Sequence, residues 1–471
     1  MNNIFDKLKN YSDSDYYAFH MPGHKRNLDL MDGTSPYRID ITEIDGFDDL
    51  HHAEGILRDA QERAARVYHA DETHFLVNGS TVGILSAILG TTEKGDSILV
   101  ARNCHKSVYH AIYLNELDPV YLYPKFDTEQ GLSTEIDAAD VQKALEEHPK
   151  IRAVMIVSPT YDGVVSDIEK IAEIVHAKGC PLIVDEAHGA HFGFSPEFPE
   201  NATRLGADAV IMSVHKTLPA FTQTALLHLC SDRIAEKKVA QFLGIYETSS
   251  PSYLLMAGIE KSLQIIEKDR EMLFAAYSRR LAEFRDKTKN LKTLQVLQPS
   301  DFSKQEAFSF DPGKLLILTG NSMSGQALQE ILLREYGLQM EMASGNYVVA
   351  MTSIMDTDEG FARLSDALEC IDGTVHKKEK TSEISPREIY REQKTVMTID
   401  QALDAEQKTV RLEEATGEVS GDYVYLYPPG IPILVPGEAI DVQTAETIRH
   451  CIRLGLEVEG LPDLTCINVV K

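Results

Sequence analysis

Two side chains in this sequence stand where they could do chemistry together. Lys216 comes just past Ala209–Met212, an apolar, β-branched run of the length of a buried strand. A lysine withdrawn from water loses its charge easily, and the free amine is a good imine-forming nucleophile. The bland reading is a solvated lysine marking a strand exit. Upstream, the run Leu182-Ile-Val184 ends in Asp185. Two strands of one parallel sheet would bring this acid and this amine to the same edge, where ligands bind in α/β folds. Pyridoxal phosphate needs such a pair. Its aldehyde takes an imine to lysine, and its ring nitrogen stays protonated beside a carboxylate. At ~3 Å and an effective dielectric of ~20 that ion pair is worth roughly 5 kcal/mol before desolvation.

A third feature suits the phosphate. Asn78-Gly-Ser-Thr-Val-Gly83 is a polar turn opening an apolar stretch that runs to Leu89. A helix starting there presents free backbone N–H groups and the hydroxyls of Ser80 and Thr81 to an anion. Ser and Thr also cap helices that bind nothing. A metal site is the rival for Asp185-x-x-His188-x-x-His191, since all three are ligand types. Gly189 interrupts the helix that would put them on one face, and a packed His191 is the simpler reading.

The elements that must carry these residues alternate between strand and helix. Strands are expected at 73–77, 97–101, 120–123 and 153–158, followed by the two that end in Asp185 and before Ser213. Helices are expected from Gly55 to Tyr68 and after the Gly-Ser-Thr turn. Ser166-Asp-Ile-Glu169 reads as a capping box opening a helix that Gly179 closes. This predicts an α/β fold with a mostly parallel, doubly wound sheet. The expected divisions are an N-terminal arm over 1–50, a large cofactor-binding domain over 51–284, a small α+β domain over 285–375 and a C-terminal α+β domain over 387–471. His376–Pro386 is a charged linker. In the last domain Tyr427-Pro-Pro-Gly-Ile-Pro-Ile-Leu-Val-Pro-Gly-Glu438 fixes a rigid path suited to holding one side chain still.

The chain has 471 residues and a formal net charge of −27, which argues against nucleic acid as partner. No apolar stretch is long enough for a membrane span, and Met1–Lys9 lacks a signal-peptide core. Cys104, Cys180, Cys230, Cys370, Cys451 and Cys466 are scattered, as reduced thiols of a cytoplasmic protein would be.

Taken in order, Phe19–Lys25, Asp40–His52, Asn78–Gly83, Asn103–Ser107, Asp185–His188, Ser213–Thr217 and Tyr427–Glu438 resemble the bacterial ornithine/lysine/arginine decarboxylase family. These are pyridoxal-phosphate enzymes of the aspartate-aminotransferase fold, fold type I. The resemblance implies that Lys216 holds the cofactor and later carries a proton, and that Asp185 pairs with its ring nitrogen. Ser80, Thr81, Ser213 and His215 would bind the phosphate. His105 would stack on the ring, and Glu438 would meet the distal cation of a basic amino acid. His188 stands where the larger members carry Trp, and this chain has none. The Phe19 motif begins almost at once, without the wing that precedes it in the larger members. The chain therefore resembles the short arginine/lysine decarboxylases, and the expected assembly is a homodimer with sites at the interface. The expected reaction gives CO2 and agmatine, cadaverine or putrescine, a step of polyamine biosynthesis, with no metal. An aminotransferase or carbon–carbon lyase would keep Lys216 and Asp185 but clamp the α-carboxylate with arginine. A non-catalytic regulator on the same fold would not need that pair.

Overall fold

The computed structural model describes residues 14–20, 23–25, 27, 36–127, 132–301, 308–376, 391–427, 431–453 and 456–471. Parts of the Phe19–Lys25 and Tyr427–Glu438 motifs, including Pro22 and Pro428–Gly430, lie outside them, as does the linker beyond His376.

A seven-stranded sheet forms the frame of the large domain. Its strands in chain order are β1 (Glu72–Leu76), β2 (Ser97–Ala101), β3 (Asp118–Leu122), β4 (Ile151–Val157), β5 (Leu182–Asp185), β6 (Ala209–Met212) and β7 (Ala225–Leu229). Their spatial order is β1-β7-β6-β5-β4-β2-β3. Every neighbouring pair is parallel except the two made by β7, which runs against both β6 and β1. The continuous apolar sequences of β5 and β6 follow from burial on both faces. Strand β7 is one more apolar run and lies outside the strands expected from the sequence.

Helix α1 (Gly79–Thr91) lies flat on this sheet and is almost wholly apolar. Gly83 lets it approach: a Cβ there would sit 2.6 Å from Leu76 Cδ1 and 3.2 Å from Ile211 Cγ2. Its N-terminus is thereby held beside the end of β6. Helix α2 (Ile168–Ala177) starts one residue later than the capping-box reading. Asp167 is its N-cap and accepts from the Lys170 amide at 3.0 Å, while the Ser166 hydroxyl accepts from the Ile136 amide instead.

Helix α3 (Tyr253–Thr288) contains no proline and runs unbroken past the expected boundary at 284. Beyond it, β8 (Gln295–Val296), β9 (Lys314–Leu318), β10 (Met342–Ser344) and β11 (Tyr347–Met351) form an antiparallel sheet ordered β8-β9-β11-β10. Residues 391–471 have an apolar core of their own around Leu426, Ile433, Ile448 and Ile467, and they dock on the large domain through Ile399 and Val435.

The N-terminal segment is not a free arm. Tyr17–Phe19 pairs in parallel with Leu338–Met340. The Ser353 hydroxyl donates to the Gly23 carbonyl at 2.6 Å, and the Lys25 ammonium donates to the carbonyls of Met351 and His20.

Candidate active site

Asp185 ends β5 in register with Ile211, so the chain leaving β6 turns directly over its carboxylate. The turn is one helical revolution, Val214–Thr217, closed by the Leu218 amide on the Val214 carbonyl at 2.9 Å. It delivers Lys216 Nζ to within 3.0 Å of His188 Nε2. Burial pushes the Lys216 pKa down, and the charges of Asp185 and Glu341 oppose that shift. Asp185 is buried, which pushes its carboxyl up against the opposing pull of Lys216; one oxygen accepts from the Ala187 amide at 3.0 Å. Ionised, that carboxylate is the group a protonated ring nitrogen would pair with.

At the sheet edge, Ser80 in the first turn of α1 lies against Ser213, with hydroxyl oxygens 2.6 Å apart. Two hydroxyls and the open amides of a 13-residue helix form a donor set for a phosphate. Thr81 is exposed beside them. His215 faces the Thr224 carbonyl through Nδ1 at 2.8 Å. A carbonyl only accepts, so Nδ1 carries the proton, and burial holds the ring neutral with a pKa of about 4. In this form Nε2 can accept but not donate, so a phosphate oxygen would have to bring a proton with it. His105 is exposed at the N-cap of Lys106–Leu114, where its Nδ1 accepts from the Ser107 amide at 3.2 Å.

The residues of the metal reading go separate ways. His191 pairs with Asp311 at 3.1 Å, while His188 faces two lysines. Among the described residues, the group whose ligand atoms converge is Glu72, His74 and Glu236.

The structure gives Glu438 a different partner from the distal cation expected of it. The side chain is fully buried, and Arg102, equally buried, donates to it at 3.1 and 3.3 Å. The Val435 amide adds a third bond at 2.9 Å. The rigid Pro-Gly path does hold the carboxylate still, but for an ion pair between the C-terminal domain and the loop that carries His105. Arg102 is equally committed and cannot clamp a substrate carboxylate.

Three residues at the site were missed in the sequence. Lys314 and Glu341 come from the small domain, and Tyr161 from the loop after β4. Lys314 Nζ lies 2.8 Å from His188 Nδ1, the Tyr161 ring packs 4.7 Å from the His188 ring, and the Tyr161 hydroxyl donates to Glu341 at 2.5 Å. Glu341 is the second carboxylate, besides Asp185, whose charge reaches Lys216.

Gly23 explains the N-terminal motif. Its amide donates to the His215 carbonyl at 2.6 Å, and a Cβ there would meet the backbone of Thr217 and Leu218 at 2.7–2.8 Å. Backbone cannot rotate aside, so Gly23→Ala must push the turn that carries Lys216. Displacements on the order of 1 Å cost about 100-fold in rate. The variant is expected to lose about that much in kcat with its circular dichroism intact; a wild-type kcat would show that the turn tolerates the strain.

The sequence pattern described as Orn/Lys/Arg decarboxylase, major domain, matches residues 2–316, and that of the C-terminal domain matches 379–458. The chain belongs to the Orn/Lys/Arg decarboxylase family. It is 32% identical to an arginine decarboxylase of Halalkalibacterium halodurans over 96% of its own length and 94% of the relative's. An arginine decarboxylase of Bacillus subtilis is 30% identical, over 99% and 97%. The lysine decarboxylase LdcF of Francisella novicida superposes with a TM-score of 0.80 at 20% identity, over 99% of this chain and 80% of that one. The fold is thus the fold type I arrangement, and the family member is a pyridoxal-phosphate-dependent decarboxylase. The donor set fits that cofactor: an amine with a depressed pKa, a buried acid at the adjoining strand end, and hydroxyls at a helix N-terminus.

Proposed function

We propose that this decarboxylase acts on a basic L-amino acid, arginine first, with lysine and ornithine as alternatives, releasing CO2 and agmatine, cadaverine or putrescine. The observation that carries the reading is the half-buried Lys216 amine, its pKa pushed down by desolvation, across the sheet edge from Asp185. Bound there, pyridoxal phosphate would supply an electron sink for the carbanion left by CO2. The chain's own residues would do the rest. Lys216 would anchor the cofactor and return a proton to the α-carbon, consuming one proton per turnover. Asp185 would hold a proton at the ring nitrogen. Ser80 and Ser213, with Thr81 and His215 beside them, would fix the phosphate, and His105 would cover the exposed ring face.

Both arginine decarboxylase relatives support arginine. The test is incubation with each of the three amino acids, following CO2 and amine. Arginine is expected to give the highest kcat/KM. Transfer of the amino group to an oxo acid without CO2 would sink the proposal.

We also infer a homodimer acting in the cytoplasm, where its product would feed polyamine biosynthesis. All six cysteines are unpaired, and no helix of the described residues is long and apolar enough to cross a membrane. Thr81 and His105 lie exposed in the single chain, at positions a second subunit would close. Sedimentation at nanomolar concentration is expected to report twice the 52.5 kDa chain mass. Full activity in a monomer would refute this.

A further inference from the structure

His188 has two ring nitrogens, and each faces a lysine. Nε2 is 3.0 Å from Lys216 Nζ, and Nδ1 is 2.8 Å from Lys314 Nζ. Lys314 opens β9 in the small domain, so this contact joins the small domain to the large one. Its side chain is 1% exposed, and its other bond is to the Tyr161 carbonyl at 3.0 Å. The ammonium also stands 5.2 Å from the Tyr161 ring centroid. The seat is built for this side chain: Gly163, in the left-handed region at φ +97°, leaves room for the stem, and a Cβ there would lie 2.7 Å from Lys314 Cγ.

The proton positions follow from the partners. A carbonyl oxygen only accepts, and an aromatic face attracts a cation, so Lys314 sits there as an ammonium donor. Burial lowers its pKa to about 8, which keeps it charged at neutral pH. His188 Nδ1 must then accept from it. A neutral imidazole with Nδ1 accepting carries its proton on Nε2. That N–H faces Lys216 Nζ, which can accept only as a free amine.

We propose that Lys314 is a positioning residue: as a buried ammonium it fixes His188 in the Nε2–H tautomer and so holds Lys216 as the unprotonated amine. The inference rests on Lys216 being the cofactor lysine. The charged and titratable groups around the pair come from several elements. Asp185 and Glu341 favour a proton on Lys216. His215 and His105 face His188 alongside the two lysines, and Asp311, Glu341 and Asp162 act on Lys314. Lys314 both adds positive charge and closes Nδ1 as a donor, two effects that disfavour that proton.

The test uses the full-length chain, Lys314→Met and Lys314→Gln. Two-bond proton–nitrogen spectra of nitrogen-15 histidine-labelled protein, with His188 assigned by His188→Asn, read the tautomer. Pyridoxal phosphate fixed to Lys216 by borohydride at a series of pH values, counted by peptide mass, reads the free amine. The wild type is expected to show Nε2–H. Lys314→Met is expected to move the proton to Nδ1 and shift the half-fixation pH upward by about one unit. Lys314→Gln keeps an N–H donor without the charge, so it is expected to keep the tautomer with a smaller shift. An Nδ1–H wild type overturns the proposal, even if Lys314→Met does not fold. So does a wild-type fixation profile in folded Lys314→Met. No fixation at Lys216 of the wild type at any pH would instead sink the cofactor reading, and the tautomer would still decide whether Lys314 sets His188.

Discussion

Lys216→Ala is expected to lower kcat by roughly 10^4-fold or more, the scale seen when a group central to a catalytic unit is removed. Lys216 is the amine at the end of β6 over Asp185, and in the function proposed above it is the cofactor's anchor. The variant should also lose the visible absorption of cofactor joined to lysine, while cofactor held by the phosphate contacts alone survives dialysis poorly. Turnover together with that absorption in Lys216→Ala would move the anchor elsewhere. Lys106 lies next to His105, and Lys314 is the other amine on His188, so these two would be tested next.

Glu438→Ala is expected to cost stability rather than specificity. It would leave the Arg102 guanidinium buried without its carboxylate, among the Tyr109 hydroxyl at 2.9 Å, the Ile433 carbonyl at 3.5 Å, the Tyr123 hydroxyl and the Tyr109 and Tyr121 rings. Breaking a buried ion pair by removing one member typically costs about 3–5 kcal/mol. The loss should fall on the junction between the C-terminal and large domains and appear as a lower urea midpoint for that contact. The pair itself is a different matter. Replacing both members by apolar residues of similar volume is often neutral, so Arg102→Met with Glu438→Leu is expected to recover most of the lost stability. A Glu438→Ala protein with wild-type stability and a kcat/KM reduced for basic substrates would return Glu438 to the substrate.

What the sequence made legible is local. Lys216 and Asp185 each close a short apolar run, and two such runs in one sheet must end at the same edge. Ser80 was readable as a hydroxyl opening an apolar helix, a feature shared with helices that bind nothing, and its contact with Ser213 was not readable. The pieces that escaped are those set by distant pairing. Lys314 meets His188 across 126 residues, and its β-branched, leucine-rich strand reads as ordinary core with a lysine at the mouth. Glu438 was recognised as a residue held still, yet its partner is 336 residues away, just before the Asn103–Ser107 motif. The expected boundary at 284 fell inside α3 because composition changes there while helical periodicity does not. Ser166 and Asp167 could each cap α2, and the tertiary bond to Ile136 decided between them.

The seat of Gly23 on the Lys216 turn also sets an order of events during synthesis. The Ser353 hydroxyl that holds Gly23 is 330 residues further along the chain, so at roughly 5–20 residues per second a nascent chain waits about 15–65 s between the two. Late in that interval the sheet, the Asp185 strand and the Lys216 turn can all form while the segment that lies on that turn still lacks its small-domain partners. One of the first strands translated, Tyr17–Phe19, is therefore among the last to find its place, and a ribosome stalled before Leu338 carries a large domain whose N-terminal strand is still unpaired.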